Sequence, residues 1–156
     1  MTTVYLGLGT NLGDKNLQLR TAVNEIEKRI GRVVTLSAFY ITEPWGFTSE
    51  HSFLNAVCAV QTSLSPHELL SITKDIEKYL GRSHKSVHQT YSDRLIDIDI
   101  LLFDQLILND EDLQIPHPLM TKREFVLKPL VEIAPDFVHP LNHLTIRELW
   151  QELNAL

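Results

Sequence analysis

The chain has one cysteine in 156 residues, so it cannot form an internal disulfide. That residue, Cys58, lies within Ala56-Val57-Cys58-Ala59-Val60, a setting that fits a buried core thiol. No apolar run is long enough to span a bilayer, and no stretch is polar enough to stay disordered. The opening residues, Met1-Thr2-Thr3-Val4-Tyr5, enter a strand pattern at once, without a basic segment leading into an apolar one. A secretory signal is therefore not expected. A basic excess is also missing: the formal net charge is −6, which argues against general nucleic-acid binding. No repeat or linker interrupts the chain. These absences lead us to expect one domain over residues 1–156, cytoplasmic, with neither a membrane nor a nucleic acid as partner.

The hydrophobic share of 44% is enough for a substantial core. Val4 to Gly9 is apolar at nearly every position and predicts a central strand. Leu17, Leu19, Ala22, Val23, Ile26 and Ile30 follow at helical spacing, with Gly31 as the expected stop. Val33 to Thr42 and Phe53 to Thr62 read as strands. Ser65-Pro66-His67-Glu68 is a capping box with proline at the first helical position, and its helix should end at Gly81. Two short C-terminal helices are expected from Thr121 and Thr145, each with glutamate three residues on. The order strand-helix-strand-strand-helix-strand predicts an α+β, ferredoxin-like antiparallel sheet with its helices packed on one face.

The most informative segment is Arg94-Leu95-Ile96-Asp97-Ile98-Asp99-Ile100-Leu101-Leu102. Side chains alternate across a strand, so Asp97 and Asp99 leave one face while Ile96, Ile98 and Ile100 leave the other. Two carboxylates held side by side on an apolar strand repel each other, and a divalent cation with oxygen ligands is the usual compensation. The alternative is a plainly solvated strand face. Just upstream, Gly81 to Ser92 contains no acid but carries Arg82, His84, Lys85 and His88, and Arg94 follows. A basic segment before an Asp-x-Asp strand points to a small polyanion bound with its metal, although a solvated loop would read the same way.

Gly7-Leu8-Gly9-Thr10-Asn11-Leu12-Gly13 fails the spacing of a dinucleotide fingerprint, and no Walker phosphate loop occurs anywhere. We read these glycines mainly as a tight strand-to-helix turn, with direct ligand contact as the alternative. Ile115-Pro116-His117-Pro118 sets a histidine between prolines on a rigid turn. Arg123 has the planar fork suited to phosphate, or it pairs with a neighbouring acid.

Taken in order, Leu8-Gly9-Thr10-Asn11, Phe53-Leu54-Asn55-Ala56, Gly81-Arg82, Arg94-x-x-Asp97-x-Asp99, the Pro-His turn and Arg123-x-Phe125 resemble the 6-hydroxymethyl-7,8-dihydropterin pyrophosphokinase family. The resemblance runs from about Val4 to Pro135. It implies transfer of pyrophosphate from ATP to the hydroxymethyl group of the pterin, with release of AMP, in folate biosynthesis. It further implies that Asp97 and Asp99 hold two Mg²⁺ ions, and that Arg82 and Arg94 are catalytic-loop arginines. The nucleotide would be bound by Glu77, Arg82, Lys85, Tyr91, Arg94, Ile100, His117 and Arg123. The pterin would be bound by Thr42, Trp45, Phe53, Asn55, Asp97 and Phe125, with Phe53 and Phe125 stacking on the ring and Asn55 reading its polar edge. The implied protein is a monomer.

The chain departs from the family pattern at Tyr91-Ser92-Asp93, where Trp-Gly-Pro is common, and at Lys74, Asp112 and Pro118 around the nucleotide. Two other readings fit the residues alone. One is a different Mg²⁺-dependent phosphoryl or nucleotidyl transferase. The other is a binding module whose aspartates hold a structural or sensory cation.

Overall fold

The computed structural model describes residues 1–42, 52–82 and 96–155. Strand β1 (Thr2–Thr10) leads to helix α1 (Lys15–Arg29), then β2 (Gly31–Leu36), β3 (Tyr40–Thr42) and β4 (Phe53–Thr62). Helix α2 (Pro66–Arg82) is followed by β5 (Asp97–Phe103) and the short hairpin β6 (Leu108–Asn109) and β7 (Gln114–Ile115). A 3₁₀ turn at Met120–Lys122, α3 (Glu124–Ile133) and α4 (Ile146–Leu153) complete the described elements. The main sheet runs β2-β4-β1-β5, with β3 also paired to β4 and every pairing antiparallel. β1 is central, as its two-sided apolar pattern requires.

The single strand expected over Val33 to Thr42 is broken into β2 and β3. Ser37 breaks it by satisfying β4 with its side chain: its N–H donates to the Val57 carbonyl and its Oγ accepts the Val57 N–H, both at 2.9 Å. A serine that bonds locally with the backbone competes with the ladder. The next amide, Ala38, turns away to the Glu132 carboxylate.

The two helices of the split unit, α1 and α2, pack on one face as expected, and the C-terminal helices α3 and α4 cover the other. Val4, Leu6, Leu8, Leu54, Ala56, Cys58, Val60, Ile98 and Ile100 pack with Leu19, Ala22 and Ile26 of α1 and Leu69, Ile76 and Leu80 of α2. Val57, Leu101 and Leu102 pack on the opposite face with Met120, Val126, Leu127, Leu130, Ile146 and Leu149. Leu101 falls at a register shift between the Tyr5–Leu102 and Leu6–Ile100 pairs, a bulge that brings Leu101 and Leu102 into the same cluster. Cys58 is fully buried, and burial pushes its thiol pKa up to about 12, as suits an inert core group.

Several helix ends differ from expectation. α1 does stop before Gly31, with Ile30 as its C-cap, but Gly31 goes on to open β2, where a Cβ would overlap the Gln61 carbonyl. Leu17 keeps helical spacing but is 59% exposed, so it lies off the core stripe. α2 runs one residue beyond Gly81 to Arg82. Its Ser65–Glu68 box forms, with Ser65 N–H donating to Glu68 and Glu68 N–H to Ser65. The Thr145–Glu148 box of α4 forms as well. The Thr121–Glu124 box does not: Met120–Lys122 closes as a 3₁₀ turn, and α3 begins at Glu124 with Arg123 as an extended N-cap that makes no side-chain cap.

Ahead of α4, His139 is 3% exposed, and its Nδ1 accepts the N–H groups of Leu141 and Asn142 at 3.2 Å. Burial, then the neighbouring His143, holds its pKa below the ordinary 6.5. The unfolded chain therefore protonates this ring at a higher pH than the native protein does. Its contribution to stability is complete above about pH 6.5 and is lost as the pH falls through the native pKa. Urea melts should show the wild type losing stability relative to His139→Gln as the pH drops below about 6.5. A constant difference between the two across that range contradicts this assignment.

Candidate active site

The face of the sheet under α3 and α4 is filled at one end and bare at the other. There β1 presents Gly7 and Gly9, β4 presents Phe53 and Asn55, and β5 presents Asp97 and Asp99. The result is a cleft of about 390 Å³, walled further by Thr42 and by Arg123, Phe125 and Val126 from the start of α3. Gly7 and Gly9 lie inside β1, as the strand expected over Val4 to Gly9 requires, and the turn role read for this segment does not fall on them. Their missing side chains make the cleft floor. A Cβ on Gly9 would lie 2.9 Å from Asn55 Oδ1. Gly13, at φ +66°, is the residue that needs turn freedom. Asn55 is 4% exposed and donates from Nδ2 to Thr42 Oγ1 at 2.8 Å, which leaves its Oδ1 facing Gly9.

A second cleft, of about 380 Å³, opens on the outer edge of β5 between α2 and the β6–β7 hairpin. Thr73, Lys74 and Glu77 line one side; Asp112, Gln114, His117 and Pro118 line the other, with Ile98 and Ile100 between them. Both volumes lie in the small-molecule range of roughly 300–1,000 Å³. Asp97 and Asp99 border both clefts. The alternation read from the sequence holds: the isoleucines at 96, 98 and 100 are each 5% exposed, while both aspartates are half-buried on the other face.

Because β5 is an edge strand, the Ile98 N–H has no strand neighbour and donates instead to Glu77 Oε2 at 2.8 Å. Burial pushes the Glu77 carboxyl up to about 7. The Ile98 hydrogen bond opposes that rise, and the charges of Asp97 and Asp99 add to it. Three carboxylates, those of Glu77, Asp97 and Asp99, thus converge on the edge of β5. On the far wall, His117 donates its backbone N–H to the Leu101 carbonyl at 2.9 Å, and its Nδ1 accepts from Leu119 N–H at 3.1 Å. Burial first, then the Arg123 charge, lowers its pKa, while Asp97 pulls the other way. The neutral ring therefore carries its proton on Nε2 and offers it as a donor. Arg123 stands at the seam between the clefts. Its guanidinium lies 5.4 Å from the Phe125 ring centroid, and its charge reaches His117.

The structure thus brings together Asp97, Asp99, Thr42, Phe53, Asn55, Phe125 and Arg123 at the first cleft, and Glu77, Ile100 and His117 at the second. Lys74, Asp112 and Pro118, where the chain departs from the family pattern, line the second. Trp45, Lys85, Tyr91 and Arg94 lie outside the described residues, as does the side chain of Arg82 at the end of α2. Sequence reasoning missed Gly7 and Gly9 as floor residues, although their alternation with Leu6 and Leu8 carries that signal. It also missed the β6–β7 hairpin. His67 ties the start of α2 to that hairpin, with Nε2 3.0 Å from Asp110 and 3.6 Å from Asp112, all three side chains exposed.

A ferredoxin-like sheet with two clefts meeting over a pair of edge-strand carboxylates defines a two-ligand site. The model of the family 7,8-dihydro-6-hydroxymethylpterin-pyrophosphokinase matches residues 5–135. The chain is 50% identical over 141 residues to the 2-amino-4-hydroxy-6-hydroxymethyldihydropteridine pyrophosphokinase of Porphyromonas gingivalis, covering 90% of this chain and 95% of the relative. It is 44% identical over 155 residues to the protein of that name from Methylorubrum extorquens, covering 99% and 95%. Its backbone is similar to solved Plasmodium falciparum HPPK-DHPS, wild type, with a TM-score of 0.78 at 19% identity over 99% of this chain. The chain spans 45% of the length of that solved chain. The protein belongs to the 7,8-dihydro-6-hydroxymethylpterin-pyrophosphokinase family.

Proposed function

We propose that the protein transfers pyrophosphate from ATP to 6-hydroxymethyl-7,8-dihydropterin, giving AMP and the pterin diphosphate for folate biosynthesis. The pterin occupies the cleft floored by Gly7 and Gly9, and the nucleotide occupies the cleft between α2 and the hairpin. The observation that carries this reading is that Asp97 and Asp99 border both clefts, where the hydroxymethyl group and the phosphates must meet. In the transfer, the hydroxymethyl oxygen forms a bond to the β-phosphorus and loses its proton. The bond from that phosphorus to the oxygen bridging the α-phosphorus breaks, and AMP leaves with that oxygen.

The donor set suits Mg²⁺: the carboxylates of Asp97 and Asp99 are hard oxygen ligands that leave one face of β5 at the meeting of the two clefts. We assign two ions to Asp97 and Asp99. When bound, they neutralise phosphate charge and make the β-phosphorus more open to attack. The chain's own groups do the rest. Phe53 and Phe125 stack on the pterin plane, and Asn55 and Thr42 read its rim, with Trp45 beside them. His117 donates from Nε2, and Arg123 lends a guanidinium, to phosphate oxygens. Arg82, Lys85, Tyr91 and Arg94 are assigned to the nucleotide and its phosphates on the family resemblance, as are Glu77 and Ile100. We extend the proposal to a single-domain, cytoplasmic monomer acting on small molecules alone. Among the described residues no helix is long and apolar enough to cross a membrane.

Incubation with ATP, Mg²⁺ and 6-hydroxymethyl-7,8-dihydropterin, followed by anion-exchange separation, should give one AMP for each pterin diphosphate. Release of pyrophosphate in place of AMP would make the protein a nucleotidyl transferase. No turnover, with metal-dependent thermal stabilisation, would make it a binding module.

A further inference from the structure

We infer that Glu132, together with Tyr40, is a positioning pair that sets pterin affinity by fixing the Thr42 wall of the first cleft. The inference rests on the reading of that cleft as the pterin site. β3 has little to hold it: it is three residues long, has no buried side chain, and its Ile41 is 72% exposed. It nevertheless carries Thr42, which accepts the Asn55 Nδ2 hydrogen bond at 2.8 Å. Its ladder partner is the very segment that presents Asn55, with Tyr40 opposite Asn55 and Thr42 opposite Phe53.

Among the described residues, what fixes β3 from outside the sheet is the C-terminal end of α3. Glu132 accepts the Ala38 N–H at 3.1 and 3.2 Å, and the Tyr40 hydroxyl at 2.5 Å on Oε1. Lys128, one turn back, sits 5.3 Å from the Tyr40 ring centroid. The other end of α3 presents Phe125 to the same cleft. One short helix, about 15 Å long at 1.5 Å per residue, therefore carries one wall directly and braces the opposite wall through Glu132. Bonds from donors to an ionised carboxylate are the stronger kind, and they act here on a strand with few other restraints among the described residues. Because Glu132 is exposed, the effect is several-fold rather than complete.

The test compares wild type, Glu132→Ala, Glu132→Gln and Tyr40→Phe in the full chain. It measures pterin Kd by fluorescence titration, and KM and kcat for both substrates. Glu132→Ala should weaken pterin binding and raise its KM by about five-fold, with kcat and the ATP KM within about two-fold. Glu132→Gln keeps an acceptor oxygen and should recover most of the affinity. Tyr40→Phe should add little when combined with Glu132→Ala, because the two share one interaction. Pterin affinity unchanged in Glu132→Ala, with only a lowered Tm, overturns the inference and leaves Glu132 a structural tie. A wild-type protein that binds no pterin sinks the functional reading itself, a separate outcome visible before any variant is compared.

Discussion

Asp97→Asn and Asp99→Asn should each lower turnover by roughly a thousand-fold or more, about 4 kcal/mol of transition-state stabilisation, while the fold survives. The reason lies in how β5 divides its duties. Ile96, Ile98 and Ile100 anchor the strand in the core that it shares with α2, so the aspartates are not needed for packing. Asparagine keeps their shape and removes one negative charge. Glu77 then feels less repulsion, so without metal the variants should melt at or above the wild-type temperature. Loss of activity together with retained or raised stability separates a functional carboxylate from a structural one. Steady-state AMP release and thermal melts in chelator check the prediction; either variant keeping a tenth of wild-type turnover contradicts it.

The second large effect is expected from the smallest change, Gly9→Ala. The new Cβ would lie 2.9 Å from Asn55 Oδ1, closer than such contacts tolerate. Asn55 is buried and tied to Thr42, so it cannot step aside without breaking that bond or tilting into the cleft. The methyl also thickens a floor that is flat because glycine occupies it. Misplacing one polar contact in a recognition site costs about 1–3 kcal/mol, so pterin affinity should fall by roughly ten- to a hundred-fold. ATP affinity should be unchanged, because Gly9 borders only the first cleft. Isothermal titration with each ligand distinguishes this from general damage, which would weaken both.

How much of this was legible in the chain follows from what each residue depends on. Asp97 and Asp99 were readable because strand alternation is local: isoleucines on both sides leave the carboxylates one face to share. The boxes at Ser65 and Thr145 were readable for the same reason, since all their partners lie within one turn. Thr121–Glu124 has the same spelling and does not form. Met120 is drawn into the core beside Leu127 and Leu130, and the chain tightens into a 3₁₀ turn before α3. Tertiary packing overrides the local preference there. Gly7 and Gly9 were misread because glycine signals a turn in sequence, whereas here its absent side chain is what matters. The break at Ser37 joins residues 20 positions apart and the brace from Glu132 residues 92 to 94 apart, beyond the reach of any local sequence pattern.

The proposed transfer depends on the two clefts sharing one pair of carboxylates. Diffraction from crystals grown with Mn²⁺, a non-hydrolysable ATP analogue and the pterin, collected at an energy where manganese scatters anomalously, tests this most directly. We predict manganese peaks against Asp97 and Asp99, with the pterin on the Gly7–Gly9 floor and the nucleotide between α2 and the β6–β7 hairpin. Manganese found only at the exposed His67, Asp110 and Asp112 side chains, with Asp97 and Asp99 bare beside bound nucleotide, would contradict it.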